Sequence, residues 1–201
     1  MKLDSTAAII TGGASGLGEA TARYFASQGA QVTLLDRDAT RGEAIAKEIG
    51  GHYVLTDVTD ETSVQEAVDY AQEKMGWITA AVNCAGIALG IKTTGRDGPH
   101  PLDAFQRTID INLVGSFNVA RLAAVAMAKN TPEDDGARGV IINTASIAAF
   151  DGQKGQAAYA ASKAAVVSLT QVLAKELAPM KITVNAVGPT PIETDLIAGV
   201  P

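Results

Sequence analysis

Short runs of aliphatic and β-branched residues alternate along the chain with longer stretches whose apolar positions recur at helical spacing. Ala7–Thr11, Gln31–Leu35, His52–Leu55, Ile78–Val82, Val140–Asn143 and Lys181–Val187 read as strands. Helices are expected over Gly16–Gln28, closed by Gly29, and over Ala39–Ile49. A third follows an Asp60 cap as far as Lys74, a long fourth covers Leu102–Lys129, and a long fifth covers Gln156–Ala178, halted by Pro179. Ala88–Pro101 and Asn130–Gly139, rich in glycine, proline and polar residues, are expected as surface loops. The strands are apolar throughout rather than alternating, as burial on both faces demands. Strand–helix alternation with such strands predicts an α/β fold, a doubly wound parallel sheet with helices on both faces.

The 201 residues suit a single domain over 1–201, long enough for a full core. With 47% hydrophobic and 19% charged residues, the chain is globular rather than disordered. A net charge of −6 argues against non-specific nucleic-acid binding, which needs a basic surface. Cys84 is the only cysteine, so no intrachain disulfide forms, and His52 and His100 stand too far apart in sequence to suggest a metal site. No apolar run approaches a membrane span, and the start leads almost directly into a strand without room for a targeting segment. A cytoplasmic protein without membrane or nucleic-acid partners is the expectation.

Between the first strand and the first helix lies Thr11-Gly12-Gly13-Ala14-Ser15-Gly16-Leu17-Gly18. Glycines there let the backbone turn tightly and approach a pyrophosphate, while the helix N-terminus offers free N–H groups and partial positive charge. Gly12, Ser15, Gly16, Leu17 and Gly18 are therefore candidate dinucleotide contacts. Asp36 ends the second strand, where a carboxylate accepts from the adenosine ribose hydroxyls and repels a 2′-phosphate. This favours NAD, although the neighbouring Arg37 is a cation able to meet that phosphate. Asp57 and Val58 follow the third strand, and Asn83, Cys84, Ala85 and Gly86 follow the fourth, at the carboxyl ends where open parallel sheets bind ligands. Asp57 is placed to accept from an adenine amine and Val58 to pack on its ring. Ala85 and Gly86 leave room for a cofactor against backbone, and Cys84 reads as a small buried filler.

Tyr159 and Lys163, four apart on the last long helix, share one face, and Ser146 lies upstream. An ammonium beside a phenol favours the phenolate, which suits a general acid–base. Alone, Tyr-x-x-x-Lys arises by chance on many helices. Taken with the Thr11–Gly18 loop, Asp57, Asn83–Gly86, Asn112 and Ser146, it gives an ordered set that resembles the short-chain dehydrogenase/reductase family over almost the whole chain. Within that family the likeness is strongest to the type II 3-hydroxyacyl-CoA dehydrogenase group. It is carried by Ala81–Ala88, Asp103–Asn118 and Arg138–Lys163.

The resemblance implies a Rossmann fold, bound NAD and reversible oxidation of a secondary alcohol to a ketone. It implies that Tyr159 exchanges the proton with the substrate oxygen and that Lys163 supports the phenolate and binds the nicotinamide ribose. Ser146 is implied to orient the reacting oxygen, Asn112 to hold a water linking Lys163 to solvent, and Thr194 to contact the carboxamide. Gln153, between Ser146 and Tyr159, is a further candidate substrate contact. Pro189-Thr190 stands where the family has Pro-Gly. Relatives continue beyond the sixth strand with a substrate-covering segment, a helix and a seventh strand, so the expectation is a domain truncated at its C-terminus. The implied substrates are 3-hydroxyacyl-CoA thioesters, with Lys92 and Arg96 either meeting CoA phosphates or standing as solvated loop charges. A 3-ketoacyl reductase, a steroid or sugar alcohol dehydrogenase, and a non-catalytic NAD-binding sensor or scaffold remain as alternatives. The small apolar residues of the two long helices suit close packing on more than one face, and the resemblance implies that these helices pair into a homodimer or homotetramer.

Overall fold

The computed structural model describes residues 2–96 and 98–190. Its main sheet is built from β1 (Ala7–Thr11), β2 (Gln31–Asp36), β3 (His52–Leu55) and β4 (Ala80–Asn83), joined later by two more strands. Helices α1 (Gly16–Ser27), α2 (Ala39–Ile49) and α3 (Glu61–Met75) connect these first four. A small hairpin, β5 (Thr94–Gly95) and β6 (Gly98–Pro99), precedes α4 (Leu102–Ile109) and α5 (Gly115–Met127). Then come β7 (Gly139–Thr144), α6 (Ala157–Leu177) and β8 (Ile182–Val187). The sheet order is β3-β2-β1-β4-β7-β8, with every pairing parallel. This is a Rossmann-type doubly wound sheet, and the strand order reverses between β1 and β4, where such sheets bind ligands.

Side-chain alternation along the strands sorts the core into two layers. Ile9, Leu35 and Ile141 face α3, α5 and α6, burying against Val64, Val68, Val119 and Met127. Ile10, Val32 and Leu34 face the opposite way, onto Ala22, Ile45 and Ala46 of α1 and α2. Full burial of each large aliphatic side chain contributes roughly 1.5–3 kcal/mol. Asp60 caps α3 by accepting from the Ser63 N–H at 2.7 Å, and Asp38 caps α2 by accepting from the Arg41 N–H at 3.0 Å.

Four expectations need correction. The long fourth helix is not uniform: Asp110–Val114 is a π-helical segment between α4 and α5. Proline does not stop the last helix outright, because Pro179 sits in the first turn of a 3₁₀ segment, Ala178–Met180, where its missing N–H costs nothing. Lys181 is not in the sixth strand but turns the chain with a left-handed φ of 62°. Ala88–Pro101 is more than a loop, since it carries the β5–β6 hairpin and is held by the Ile91 N–H donating to the Gly155 carbonyl at 3.0 Å. In addition, the helical stretches Leu102–Met127 and Ala157–Met180 do reach the length and apolarity of a membrane span. Half and a third of their most apolar windows, respectively, are buried within the fold. Alanine-rich helices that cover a sheet satisfy the same criterion.

Candidate active site

A cleft of about 700 Å³ opens along the carboxyl ends of the strands. Its floor at one end is the glycine loop. Gly12 takes φ +64°, and a Cβ there would lie 2.9 Å from the Ala85 nitrogen. A Cβ on Gly18 would lie 2.1 Å from the Gly12 carbonyl oxygen. The loop thus folds on itself and against the β4 loop in a way that only glycine permits. Thr11 Oγ1 ties the two together, accepting from the Cys84 and Ala85 N–H groups at 3.1 Å each. Ser15 caps α1 without a side-chain hydrogen bond, and Ser15, Gly16, Leu17 and Gly18 line the cleft, so the helix N-terminus faces the space where an anion would sit.

Asp36 lines the cleft beside this loop. Its Oδ2 accepts from the Ala14 N–H and its Oδ1 from the Asp38 N–H, both at 3.0 Å. Asp57 and Val58 line the same end. The Thr59 hydroxyl and N–H donate to Asp57 Oδ1 at 2.7 and 2.9 Å, and the Arg37 guanidinium approaches Oδ2 at 3.6 Å. The Thr59 hydroxyl foremost, then its N–H and the Arg37 charge, hold the Asp57 carboxyl below its ordinary range against the opposing effect of burial. Val58 is buried under Gly115, where a Cβ would come within 2.6 Å of its Cγ2. Asn118 holds the Val58 carbonyl at 3.0 Å.

At the other end of the cleft stand Ser146, Tyr159, Lys163 and Gln153. Ser146 follows β7 and caps a short 3₁₀ turn, with its Oγ accepting from the Ala148 N–H at 3.2 Å. Lys163 Nζ lies 5.8 Å from the centre of the Tyr159 ring, so the two side chains do share one face of α6. The ammonium is anchored elsewhere, however: Nζ donates to the Thr144 carbonyl at 2.6 Å. Lys163 is 5% exposed. This burial pulls its ammonium down to about 8 from 10.5, with charge on Cys84 acting weakly in the other direction. Burial also pushes the Cys84 thiol up, opposed by the Thr144 hydroxyl and Lys163. Gln153 is exposed on the rim.

Asn112 and Asn83 are placed behind the cleft wall. Asn112, fully buried in the π-helical segment, braces the site. Its Oδ1 accepts from the Ile87 N–H at 2.8 Å, and its Nδ2 donates to the Ile87 carbonyl and to Ser162 Oγ at 3.0 Å each. Ser162 Oγ in turn donates to the Tyr159 carbonyl at 2.7 Å, so Asn112 joins the β4 loop to the helix that bears Tyr159 and Lys163. Gly86 packs at this junction, where a Cβ would lie 3.2 Å from Asn112 Oδ1 and 3.7 Å from Lys163 Nζ. Asn83 turns its amide inward, donating to the Ser116 carbonyl at 3.2 Å and to Asn143 Oδ1 at 2.9 Å. Thr194 lies outside the described residues.

Several lining residues were not anticipated, among them Thr144, Ile111 and Arg107. Thr144 ends a strand at the ligand-binding edge, a position that could have marked it. Ile111 and Arg107 carry no comparable signal, since they reach the cleft only through the packing of α4 and the π segment. Cys84, expected as buried filler, is half-buried and lines the cleft. Among the described residues no group of three His, Cys, Asp or Glu side chains is placed to hold a metal ion.

The arrangement fits a dinucleotide. Close-packed glycines face a helix N-terminus, a carboxylate stands at the end of β2, and a phenol, a hydroxyl and a buried ammonium gather at the far end. The comparisons agree with this geometry. A family profile described as short chain dehydrogenase matches residues 6–200. The 3-hydroxyacyl-CoA dehydrogenase type-2 of Rattus norvegicus is 50% identical over 198 residues, which is 96% of this chain and 76% of that protein. The crystal structure of 3-hydroxyacyl-CoA dehydrogenase type-2 from Mycobacterium avium superposes with a TM-score of 0.92 at 40% identity, covering 99% of this chain and 78% of that one. The 3-ketoacyl-(acyl-carrier-protein) reductase from Brucella melitensis, complexed with NADH, gives 0.87 at 35% identity, covering 98% and 79%. The chain belongs to the short-chain dehydrogenase family, oxidoreductases that work with a nicotinamide cofactor.

Proposed function

We propose that this protein is an NAD-dependent dehydrogenase that reversibly oxidises the secondary alcohol of 3-hydroxyacyl-CoA substrates. The observation that carries the reading is the single cleft that holds the glycine loop and Asp36 at one end and Ser146, Tyr159 and Lys163 at the other. Gly12, Ser15, Gly16, Leu17 and Gly18 would hold the pyrophosphate, Asp36 the adenosine ribose, and Asp57 and Val58 the adenine. Ala85 and Gly86 would border the nicotinamide half. When bound, the cofactor supplies the hydride acceptor.

The residues of the chain do the rest. Ser146 Oγ holds the substrate hydroxyl, and the Tyr159 phenolate takes its proton. The Lys163 ammonium stabilises charge beside the phenol from a site shielded from water, where it acts more strongly than it would in solvent. Gln153 borders the substrate on the exposed rim. The acyl-CoA assignment is supported by the names of the relatives at about half identity. The Brucella reductase favours a second reading, reduction of a 3-ketoacyl thioester, which is the same chemistry run in reverse.

Turnover with NAD should be measured across 3-hydroxyacyl-CoA esters, their CoA-free analogues, and steroid and sugar alcohols. The expected result is the highest kcat/KM with the CoA esters. Equal kcat/KM with the CoA-free analogues overturns CoA recognition. Absence of turnover with every alcohol leaves the sensor or scaffold reading instead. Assembly as a homodimer or homotetramer is supported by the unpartnered Val114 at the end of the π segment, Phe117 and Val125 on α5 and Val172 on α6, all more than 40% exposed. Sedimentation of wild type beside Val125→Asp tests this, with a shift to monomer expected in the variant.

A further inference from the structure

Arg37 is the one feature of the adenosine end that the proposed preference for NAD does not explain. It follows Asp36 directly, and a guanidinium beside the ribose would attract the 2′-phosphate that Asp36 repels. Arg37 lines the cleft with Asp36, but its guanidinium stands against another carboxylate. Asp36 leans toward the glycine loop, with its carboxylate on the Ala14 N–H. Arg37 leans the other way, toward the loop after the edge strand β3, where Nη1 comes within 3.6 Å of Asp57 Oδ2. Asp57 is not free to follow it back. Its Oδ1 receives the Thr59 hydroxyl and N–H, and its own N–H donates to Ser63 Oγ at 3.0 Å. Ser63 is itself fixed as the residue whose N–H caps onto Asp60.

The neighbouring charges reinforce this placement. A small pocket beside the cleft is lined by Arg37 and Asp57 together with Asp103, Arg107 and Asp110 of the facing helix and π segment. Carboxylates outnumber guanidinium groups there, so the local field does not favour a phosphate dianion. A 2′-phosphate placed beside Asp36 would compete with Asp57 for the Arg37 guanidinium.

We propose that Asp57, braced by Thr59, is a specificity-determining residue that withholds Arg37 from the adenosine ribose, so that the pair discriminates against NADP. This rests on the reading of the protein as an NAD enzyme. Any contact between Asp57 and adenine is common to both cofactors and cancels in the ratio of their affinities. That ratio isolates the effect on Arg37.

The test is a double-mutant cycle on the ratio of Kd for NADP to Kd for NAD, measured by calorimetry for wild type, D57N, R37A and the double variant. Asparagine keeps the oxygen that accepts from Thr59, so the loop retains its brace. D57N is expected to lower the ratio by ~2- to 5-fold, the scale of an exposed ion pair. R37A alone should leave the ratio near that of wild type, and the double variant should lose the shift seen in D57N. An unchanged ratio in D57N overturns the proposal, as does a shift that persists without Arg37, because Asp57 would then act by its own charge. A loss of NADP affinity in R37A alone also overturns it. A wild type that binds NADP more tightly than NAD overturns the cofactor reading as well as the proposal. NAD preference with a shift independent of Arg37 removes the proposal only.

Discussion

Replacing Lys163 with methionine should change how stability depends on pH, and the structure gives the size and sign. The Lys163 ammonium is 5% exposed and held at about 8 in the fold, against 10.5 as its ordinary value. Below pH 8 both folded and unfolded chains carry the proton, and the fold bears the cost of burying the charge. Between pH 8 and 10.5 the folded chain releases the proton while the unfolded chain retains it. The unfolded state then binds more protons, so wild-type stability rises with pH across this window. At about 1.4 kcal/mol per pH unit, the gain attributable to Lys163 is about 2 kcal/mol between about pH 7 and about pH 9.5. Lys163→Met removes the titrating group without removing much volume. Groups that do not interact with Lys163 titrate alike in both proteins and cancel in the comparison, which is made in a Cys84→Ser background because the Cys84 thiol is coupled to Lys163. The Thr144 carbonyl loses its partner in the variant, which costs stability by a similar amount at every pH. Urea unfolding followed by circular dichroism, at a series of pH values and without cofactor, gives the two curves. The difference between wild type and variant should grow in favour of wild type as pH rises. Parallel curves across the window would refute the claim that Lys163 is buried with a displaced proton affinity.

Three further outcomes follow from the same geometry. Tyr159→Phe should lower kcat by roughly 10²–10⁴-fold, the scale of a lost general acid–base, while calorimetry shows NAD binding retained. Near-normal turnover in that variant would remove Tyr159 from the chemistry. Gly18→Ala puts a Cβ 2.1 Å from the Gly12 carbonyl oxygen, so thermal unfolding should show a loss of ~1–3 kcal/mol or more and NADH fluorescence a weakened affinity. Asn143→Ala removes the acceptor for Asn83 and the donor to Thr170 Oγ1 at 2.9 Å, so urea denaturation should show a loss of ~1–3 kcal/mol. An Asn143→Ala protein as stable as wild type would show that this buried chain of amides contributes nothing net.

Residue type and spacing along the chain already dictate the layers and place the cleft. Apolar strands such as Ala7–Thr11 must be covered on both faces, and the helices between them supply the covers. Glycine at 12 and 18 marks a backbone that approaches another backbone, because no other residue can take that geometry. The four-residue spacing of Tyr159 and Lys163 puts them on one face whatever surrounds them.

Where those side chains point depends on the packing of the folded chain. Lys163 bonds to Thr144 rather than standing free beside Tyr159, because β7 passes close beneath α6. Asn83 faces the core instead of the cleft, since β4 is a central strand with Asn143 on the adjacent β7 to receive its amide. Asn112 becomes a brace because a π-helical turn rotates it onto Ile87 and Ser162, a departure from helical periodicity that residue spacing does not encode. Arg37 goes to Asp57 because β3 lies next to β2 on the sheet edge. Spacing along a chain fixes which face a residue occupies. The partner it meets there depends on strand order and on the approach of segments distant in sequence, which no local pattern carries.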